Sequence, residues 1–272
     1  MMDQSLARQR CLDRKIGLLV PTYNNDQSLA GVIESVSEYC SQVIVVNDGS
    51  TDSTEQILSK FPNITVVTHP INRGKGDALQ SGFAQGLIMG LDYLISIDSD
   101  GQHHAYDIPK FLDHHDAHPN AIIMGARNMD QASVPGKSSY GNKVSSFWFH
   151  TETGIKLSDT QSGYRLYPIA LMAPIRFVTH RFEFEIEVLV RSAWRGIEVT
   201  EVPVDVFYPE PSLRVTHFRP FWDVTRITIL NILFVFIAYA YIKPRDFFVS
   251  LKKKSRDPSL EPSFKMKQNP TD

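Results

Sequence analysis

Apolar and polar positions alternate in blocks along the first half of the chain. Residues 16–20 (IGLLV), 43–46 (VIVV), 64–68 (ITVVT), 93–97 (YLISI) and 121–125 (AIIMG) are short, nearly continuous apolar runs. Runs of this length, rich in Val and Ile and bounded by turn residues, predict buried strands. Between them the period changes. Residues 26–39 carry Leu29, Val32, Ile33 and Val36 at helical spacing. Further helices are predicted after Asp52, over residues 74–90 behind a Gly-rich turn, and over residues 107–115. Buried strands separated by helices predict an α/β fold: a mostly parallel sheet with helices on both faces.

Ligands of such sheets bind beyond the carboxyl ends of the strands. Three strands run into polar clusters there: Thr22-Tyr23-Asn24, Asn47-Asp48-Gly49 and Asp98-Ser99-Asp100. All three are expected to line one crevice. No GxGxxG follows the first strand and no GxxxxGK[ST] occurs, which disfavours a classical dinucleotide fold and a P-loop NTPase. Asp98 and Asp100 would point to opposite sides in extended backbone, whereas a turn lets both face the crevice. Two carboxylates with water or phosphate oxygens suit Mg²⁺ or Mn²⁺. A solvated Asp-Ser-Asp-Gly turn is the bland alternative. Asp52, at a helix start, suits a cap. His103 and His104 are adjacent and lack further ligand spacing, so hydrogen bonding or a helix start suits them better than zinc.

A helix over residues 182–194 would carry an apolar arc of Phe182, Ile186, Leu189 and Ala193. Glu185 falls inside that arc, and a buried acid needs a partner or a task. It is expected to act as a base or to pair with a cation such as Arg165. Glu183, Glu187 and Arg191 fall on the opposite face, where Glu187 and Arg191 make an i,i+4 pair and read as exposed.

Six segments in order, VPTYNN (20–25), VVNDGSTDST (45–54), NRGKGDAL (72–79), IDSDGQH (97–103), DTQSGYRLY (159–167) and RFEFEIEVLVRSAWRG (181–196), resemble family 2 glycosyltransferases. The resemblance is to the branch containing dolichyl- and polyprenyl-phosphate sugar transferases, and it covers residues 16–207. It implies a GT-A fold, a nucleotide-sugar donor, Mg²⁺ or Mn²⁺, and inversion at the anomeric carbon. On that resemblance Pro21, Tyr23 and Asn24 approach the donor base and ribose, and Asp48 hydrogen-bonds the base. Arg73 and Lys75 belong to a donor-side loop with Asn72 and Gly74. Asp98 lies near ribose or metal, Asp100 is the main metal ligand, and Gln102 completes that site. Asp159, Gln161 and Gly163 match an acceptor-side motif. Arg165 is a candidate for donor or acceptor phosphate, with a loop salt bridge as its rival, and Arg127 is another candidate anion contact.

Composition narrows the partners. Net charge is −2, so no basic field points to nucleic acid. Two cysteines, Cys11 and Cys40, are too few for a disulfide framework and fit a reducing compartment. The first residues lack a signal-peptide core, so the bulk of the chain is expected in the cytosol.

The C-terminal part differs. Residues 227–242 are sixteen mostly apolar positions, roughly 24 Å of helix. A bilayer core is about 30 Å thick, so the run is short for a span. Asp223, Arg226 and Asn231 fall near one face, Tyr239, Tyr241, Lys243 and Arg245 resemble interfacial anchors, and Lys252, Lys253, Lys254 and Arg256 favour anionic lipid. An interfacial or shallowly inserted helix on the cytoplasmic side of the membrane is expected, with a buried core helix or a homo-oligomer helix as rivals. His217, Arg219 and Arg226 could bring charge to an acceptor phosphate. The expected organisation is a catalytic domain over 1–217, a membrane-associating segment over 218–256 and a disordered tail over 257–272. The predicted reaction is hexose transfer from a UDP- or GDP-linked donor to polyprenyl phosphate. A hydroxyl of a glycan or glycolipid is the alternative acceptor. A nucleotidyltransferase and a non-catalytic sugar-nucleotide binding module are the rivals from other classes.

Overall fold

The computed structural model describes residues 3–128, 136–208 and 218–254. His217 and the tail over 257–272 lie outside them. Among the described residues seven strands form one sheet: β1 (Ile16–Thr22), β2 (Val43–Asn47), β3 (Thr65–Thr68), β4 (Tyr93–Ser96), β5 (Ala121–Arg127), β6 (Arg165–Tyr167) and β7 (Glu198–Val204). Their order is β3-β2-β1-β4-β6-β5-β7. All pairings are parallel except those of β6 with β4 and β5. The five apolar runs are strands β1 to β5. Every residue of β1 and β2 is buried, as a central strand covered on both faces requires. β3 is an edge strand with alternating burial.

The described residues also hold ten α-helices: α1 (Gln4–Asp13), α2 (Asp26–Tyr39), α3 (Thr54–Leu58), α4 (Lys75–Ile88), α5 (Ile108–Ala117), α6 (Gly136–Thr153), α7 (Ile169–Met172), α8 (Phe184–Trp194), α9 (Pro220–Ile237) and α10 (Lys243–Lys254). Leu29, Val32, Ile33 and Val36 are the buried face of α2, as their spacing predicts. One core lies under α2 and α5. The other lies under α4 and α8, and it takes in Leu230 and Phe234 of α9.

The C-terminal helix is longer than the apolar run alone indicates. It starts at Pro220, widens through a π-helical turn at Ala238–Ile242, and continues into α10. The stretch Pro220–Val249 is 30 residues, long and apolar enough to cross a membrane. The shortfall inferred from sixteen residues therefore does not hold. Two of the three polar residues also turn the unexpected way: Asp223 and Asn231 are buried and Arg226 is exposed, while Phe221, Trp222, Ile229, Ile232, Phe236 and Tyr239 are exposed. α9 lies against α6 and α8, so its polar stripe faces protein and its apolar face points outward.

Candidate active site

The chain reverses sheet direction between β1 and β4, and the crevice opens beside this switch point. β4 ends at Ser96, and the backbone then turns through residues 98–101. Ser99 points into the protein, accepting from Asn25 Nδ2 at 2.8 Å, while its carbonyl accepts from Ser28 Oγ at 2.6 Å. With Ser99 pinned to the start of α2, Asp98 and Asp100 both line one cleft of about 450 Å³. The same cleft is lined by Pro21 and Thr22 from β1, Tyr23 just after it, Asp48 after β2, Lys75 at the start of α4, and Arg181, Phe182, Phe218 and Arg219.

Lys75 is the centre of its charge network. Its Nζ lies 2.8 Å from Asp98 Oδ1 and 3.1 Å from Glu185 Oε1. Burial opposes the charge on Lys75, but Asp98 and Glu185 outweigh burial and hold its pKa above the usual lysine value. Burial likewise opposes ionisation of Asp98, and Lys75 outweighs it, keeping that carboxyl below its ordinary range. Burial and then the adjacent Asp98 push Asp100 up to about 6, and the Gln102 N–H and Lys75 do not make up the difference. A second positive charge is what this pair lacks, and hard oxygen donors suit Mg²⁺ or Mn²⁺. No group of three or more His, Cys, Asp or Glu among the described residues could hold a metal. Two carboxylates alone still match a cation that keeps waters and takes phosphate oxygens as further ligands.

The loop leading into α4 is held to Asp48 through its backbone. Asp48 Oδ1 accepts from His69 Nδ1 at 2.6 Å and from Arg73 N–H at 2.9 Å, and Oδ2 accepts from Gly74 N–H at 2.8 Å. Gly74 has φ +105°, and a Cβ there would sit 2.7 Å from the His180 carbonyl. Arg73 turns away from the cleft, with Nε 3.0 Å from Asp77 Oδ2. Asn24 braces the neighbouring loop, its Oδ1 accepting from Thr51 N–H at 2.8 Å. Asp52 lies one residue before the Ser53 N-cap of α3, and its carboxylate accepts from the first N–H groups of two helices, Thr54 at 3.1 Å and Asp26 at 3.0 Å.

A model of glycosyl transferase family 2 matches residues 18–170. The chain belongs to that family. A dolichyl-phosphate N-acetylglucosaminyltransferase of Methanococcus voltae that uses UDP-N-acetylglucosamine is 24% identical over 74% of this chain and 89% of its own length. Polyprenol monophosphomannose synthase of Mycolicibacterium smegmatis is 28% identical over 69% and 75%. Undecaprenyl-phosphate mannosyltransferase of Micrococcus luteus is 26% identical over 68% and 81%. Among solved structures, glucosyl-3-phosphoglycerate synthase of Mycobacterium tuberculosis with Mn²⁺, UDP and phosphoglyceric acid superposes with a TM-score of 0.64. That structure covers 86% of this chain and 82% of its own at 19% identity, which speaks for the fold. The same enzyme has been crystallised with Mg²⁺ and UDP.

The glycosyltransferase keeps several expected site residues behind the cleft wall. Arg165 is fully buried and does not reach the cavity. Its guanidinium donates to the carbonyls of Ser162 at 2.6 Å, Glu185 at 2.8 Å and Thr160 at 3.2 Å, so it is an internal strut and not an anion contact. Glu185 pairs first with Lys75, and its carboxylate is 3.8 Å from Arg165. Asp159 is buried and gripped by Arg127, whose Nε and Nη2 donate at 2.6 and 3.0 Å. Burial opposes Asp159 ionisation, and Arg127 outweighs it. Gln102 contributes backbone: its N–H donates to Asp100 Oδ1 at 3.0 Å and its carbonyl accepts from Phe207 N–H at 2.8 Å. Gly163 lies flat against Asp98, where a Cβ would sit 2.7 Å from Oδ1. His103 is buried against Tyr164 with ring centroids 5.1 Å apart, and burial lowers it to about 4, so it is neutral.

Glu187 overturns its helical-wheel reading. It is fully buried, and accepts from Val178 N–H, Thr179 N–H and Thr179 Oγ1. Residues 178–181 fold over the helix and supply those donors. Arg181 and Phe182 are cleft residues that sequence reasoning did not assign. Nothing local marks them, because they reach the cleft through the long-range tie of His180 Nδ1 to Asp77 at 2.6 Å.

Proposed function

We propose that this glycosyltransferase moves a hexose from a nucleotide diphosphate sugar to a lipid phosphate of the polyprenyl type, with inversion and with Mg²⁺ or Mn²⁺. One observation carries the acceptor assignment: Arg219, the residue just before the exposed apolar helix, lines the same cleft as Asp98 and Asp100. A lipid phosphate held at the foot of α9 would have its chain beside an apolar surface and its headgroup near Arg219. The names of the curated relatives agree with such an acceptor.

The donor nucleotide takes the side of the cleft walled by Pro21, Tyr23 and Asp48, with the loop bearing Asn72 and Gly74 above it. Lys75, which lines the cleft, would meet the diphosphate. Asp98 and Asp100 would hold the cation, which when bound neutralises charge on the departing diphosphate. The bond between the anomeric carbon and the diphosphate oxygen breaks with its electron pair as an acceptor oxygen bonds to the opposite face. A sugar hydroxyl would need a base to take its proton. The Asp159 carboxylate is occupied by Arg127, and Glu185 is paired with Lys75. An acceptor phosphate is already anionic and needs only positioning, so these engagements favour it over a hydroxyl. The long apolar helix supports a location at a membrane, and we assign the catalytic face to the cytoplasmic side.

The test is turnover of UDP- and GDP-sugars with polyprenyl phosphate in detergent, with and without Mn²⁺, for wild type and Asp100→Asn. Metal-dependent nucleoside diphosphate release with lipid-linked sugar, lost in the variant, is expected. Turnover only with glycan hydroxyls would refute the acceptor, and release of pyrophosphate would refute the reaction class.

A further inference from the structure

The helix α6 carries a feature that its packing does not explain. Tyr140, Val144 and Phe147 are 72%, 38% and 63% exposed. Spacings of four and three place them on one stripe. The opposite face, with Asn142, Ser145, Phe149 and Glu152, is buried. Three outward apolar side chains on one helix mark a contact surface. α6 lies against α9, and Lys243 Nζ, just past α9, donates to the Thr151 carbonyl at 3.3 Å. Phe149 and Phe234 share one core cluster beneath the pair of helices. Both helices therefore turn apolar faces away from the body.

We propose that α6 is a second membrane-contacting element, seated beside α9 on an anionic lipid surface, and that it couples lipid contact to the acceptor-side loop. This rests on the membrane reading given above. The occupant is argued from the contact with α9, whose own exposed face is long and apolar enough for a bilayer. Charge agrees: Lys143 is exposed next to Tyr140 and Val144 and suits anionic headgroups.

The coupling comes from the inner face. Asn142 Nδ2 donates to the Ser158 carbonyl at 2.8 Å, and Asn142 Oδ1 accepts from Thr160 N–H at 3.2 Å. Thr160 Oγ1 donates to Ser145 Oγ at 2.8 Å. Gly141 is also a neighbour of Gln161: a Cβ there would be in ordinary contact with its side-chain amide, at 3.7 Å. A shift of α6 on the bilayer would thus move the segment that carries Asp159 and Gln161.

The full-length protein is tested with vesicles of phosphatidylcholine and phosphatidylglycerol. Cys11 and Cys40 are buried, so an environment-sensitive dye can be attached at Val144→Cys. Its emission is expected to shift blue on vesicle addition. Tyr140→Glu/Phe147→Glu is expected to lose roughly tenfold or more in vesicle affinity, since two aromatic side chains leave the lipid. UDP or GDP binding should be unchanged, because neither residue lines the cleft. The double variant should also lose turnover of acceptor in vesicles while keeping turnover of a short water-soluble acceptor phosphate. A dye that stays in water with vesicles present overturns the inference. So does a dye that is buried without vesicles in proportion to protein concentration, which would mean that a second copy covers the stripe. If Ile232→Glu/Phe236→Glu abolishes vesicle binding and the α6 variant does not, α6 is excluded and the membrane reading survives. If wild type itself ignores vesicles, both fall.

Discussion

Replacing Glu187 by alanine is expected to destabilise the protein and weaken donor binding together. The Glu187 carboxylate accepts from Thr179 N–H at 2.8 Å, Thr179 Oγ1 at 2.6 Å and Val178 N–H at 3.0 Å, and pairs with Arg191 Nη1 at 2.8 Å. Alanine leaves two backbone N–H groups and a guanidinium facing an emptied site. Each unsatisfied buried group costs about 1–3 kcal/mol. Breaking a buried ion pair by removing one partner costs about 3–5 kcal/mol. The two figures describe overlapping losses, so about 3–5 kcal/mol is expected in all. In a chain of this size about 2–4 °C of Tm accompanies each kcal/mol, giving a fall of roughly 6–20 °C. The functional effect follows from the same loop. The His180 carbonyl accepts from Asp77 N–H at 2.9 Å, and Arg181 lines the cleft, so freeing residues 178–181 loosens one cleft wall. The assay is thermal unfolding in detergent with the donor KM measured in parallel. Glu187→Gln, which keeps an acceptor oxygen, should lose less. A Tm within about 2 °C of wild type, with unchanged donor KM, would refute this account of Glu187.

Two other outcomes follow from buried charge. Lys75→Met leaves Asp98 and Asp100 without a protein cation. A loss of stability in EDTA of the size of a broken buried pair, about 3–5 kcal/mol, seen as a fall in Tm, should be partly recovered by Mn²⁺; a Tm insensitive to both would oppose it. Glu152 is buried with neither carboxylate oxygen hydrogen-bonded, and burial raises it to about 8. Its unfolded form gives up the proton near pH 4.5, whereas the folded form keeps it until about 8. Stability from this group therefore falls as pH rises through that window, by up to about 1.4 kcal/mol per unit, and levels off above it. Urea unfolding at pH 5 and pH 8 should show the slope in wild type and its loss in Glu152→Gln.

The polar clusters after β1, β2 and β4 were legible because each follows an apolar run that has one stable placement, the middle of a sheet. Other elements were weaker as patterns. β6 is three residues long, and it exists because β4 and β5 pair with it on both edges. Arg165, on that strand, looked like an anion contact beside an acceptor motif. Its burial arises because the carbonyls of Thr160, Ser162 and Glu185 converge on it.

Sequence alone determined the α/β class, the first five strands, the α2 face, the helix-start role of Asp52 and the pair Asp98 and Asp100. These depend on a residue's own element, where period and turn chemistry act locally. Tertiary structure decided which faces are covered. The helical wheel placed Glu187 outside, and the loop over residues 178–181 made it inside. Asp223, Arg226 and Asn231 formed one polar face of the predicted helix, and packing against α6 and α8 turned Asp223 and Asn231 inward while Arg226 and the apolar face stayed exposed. A periodicity separates the two faces of an element, but only the neighbours that pack there determine which one is buried.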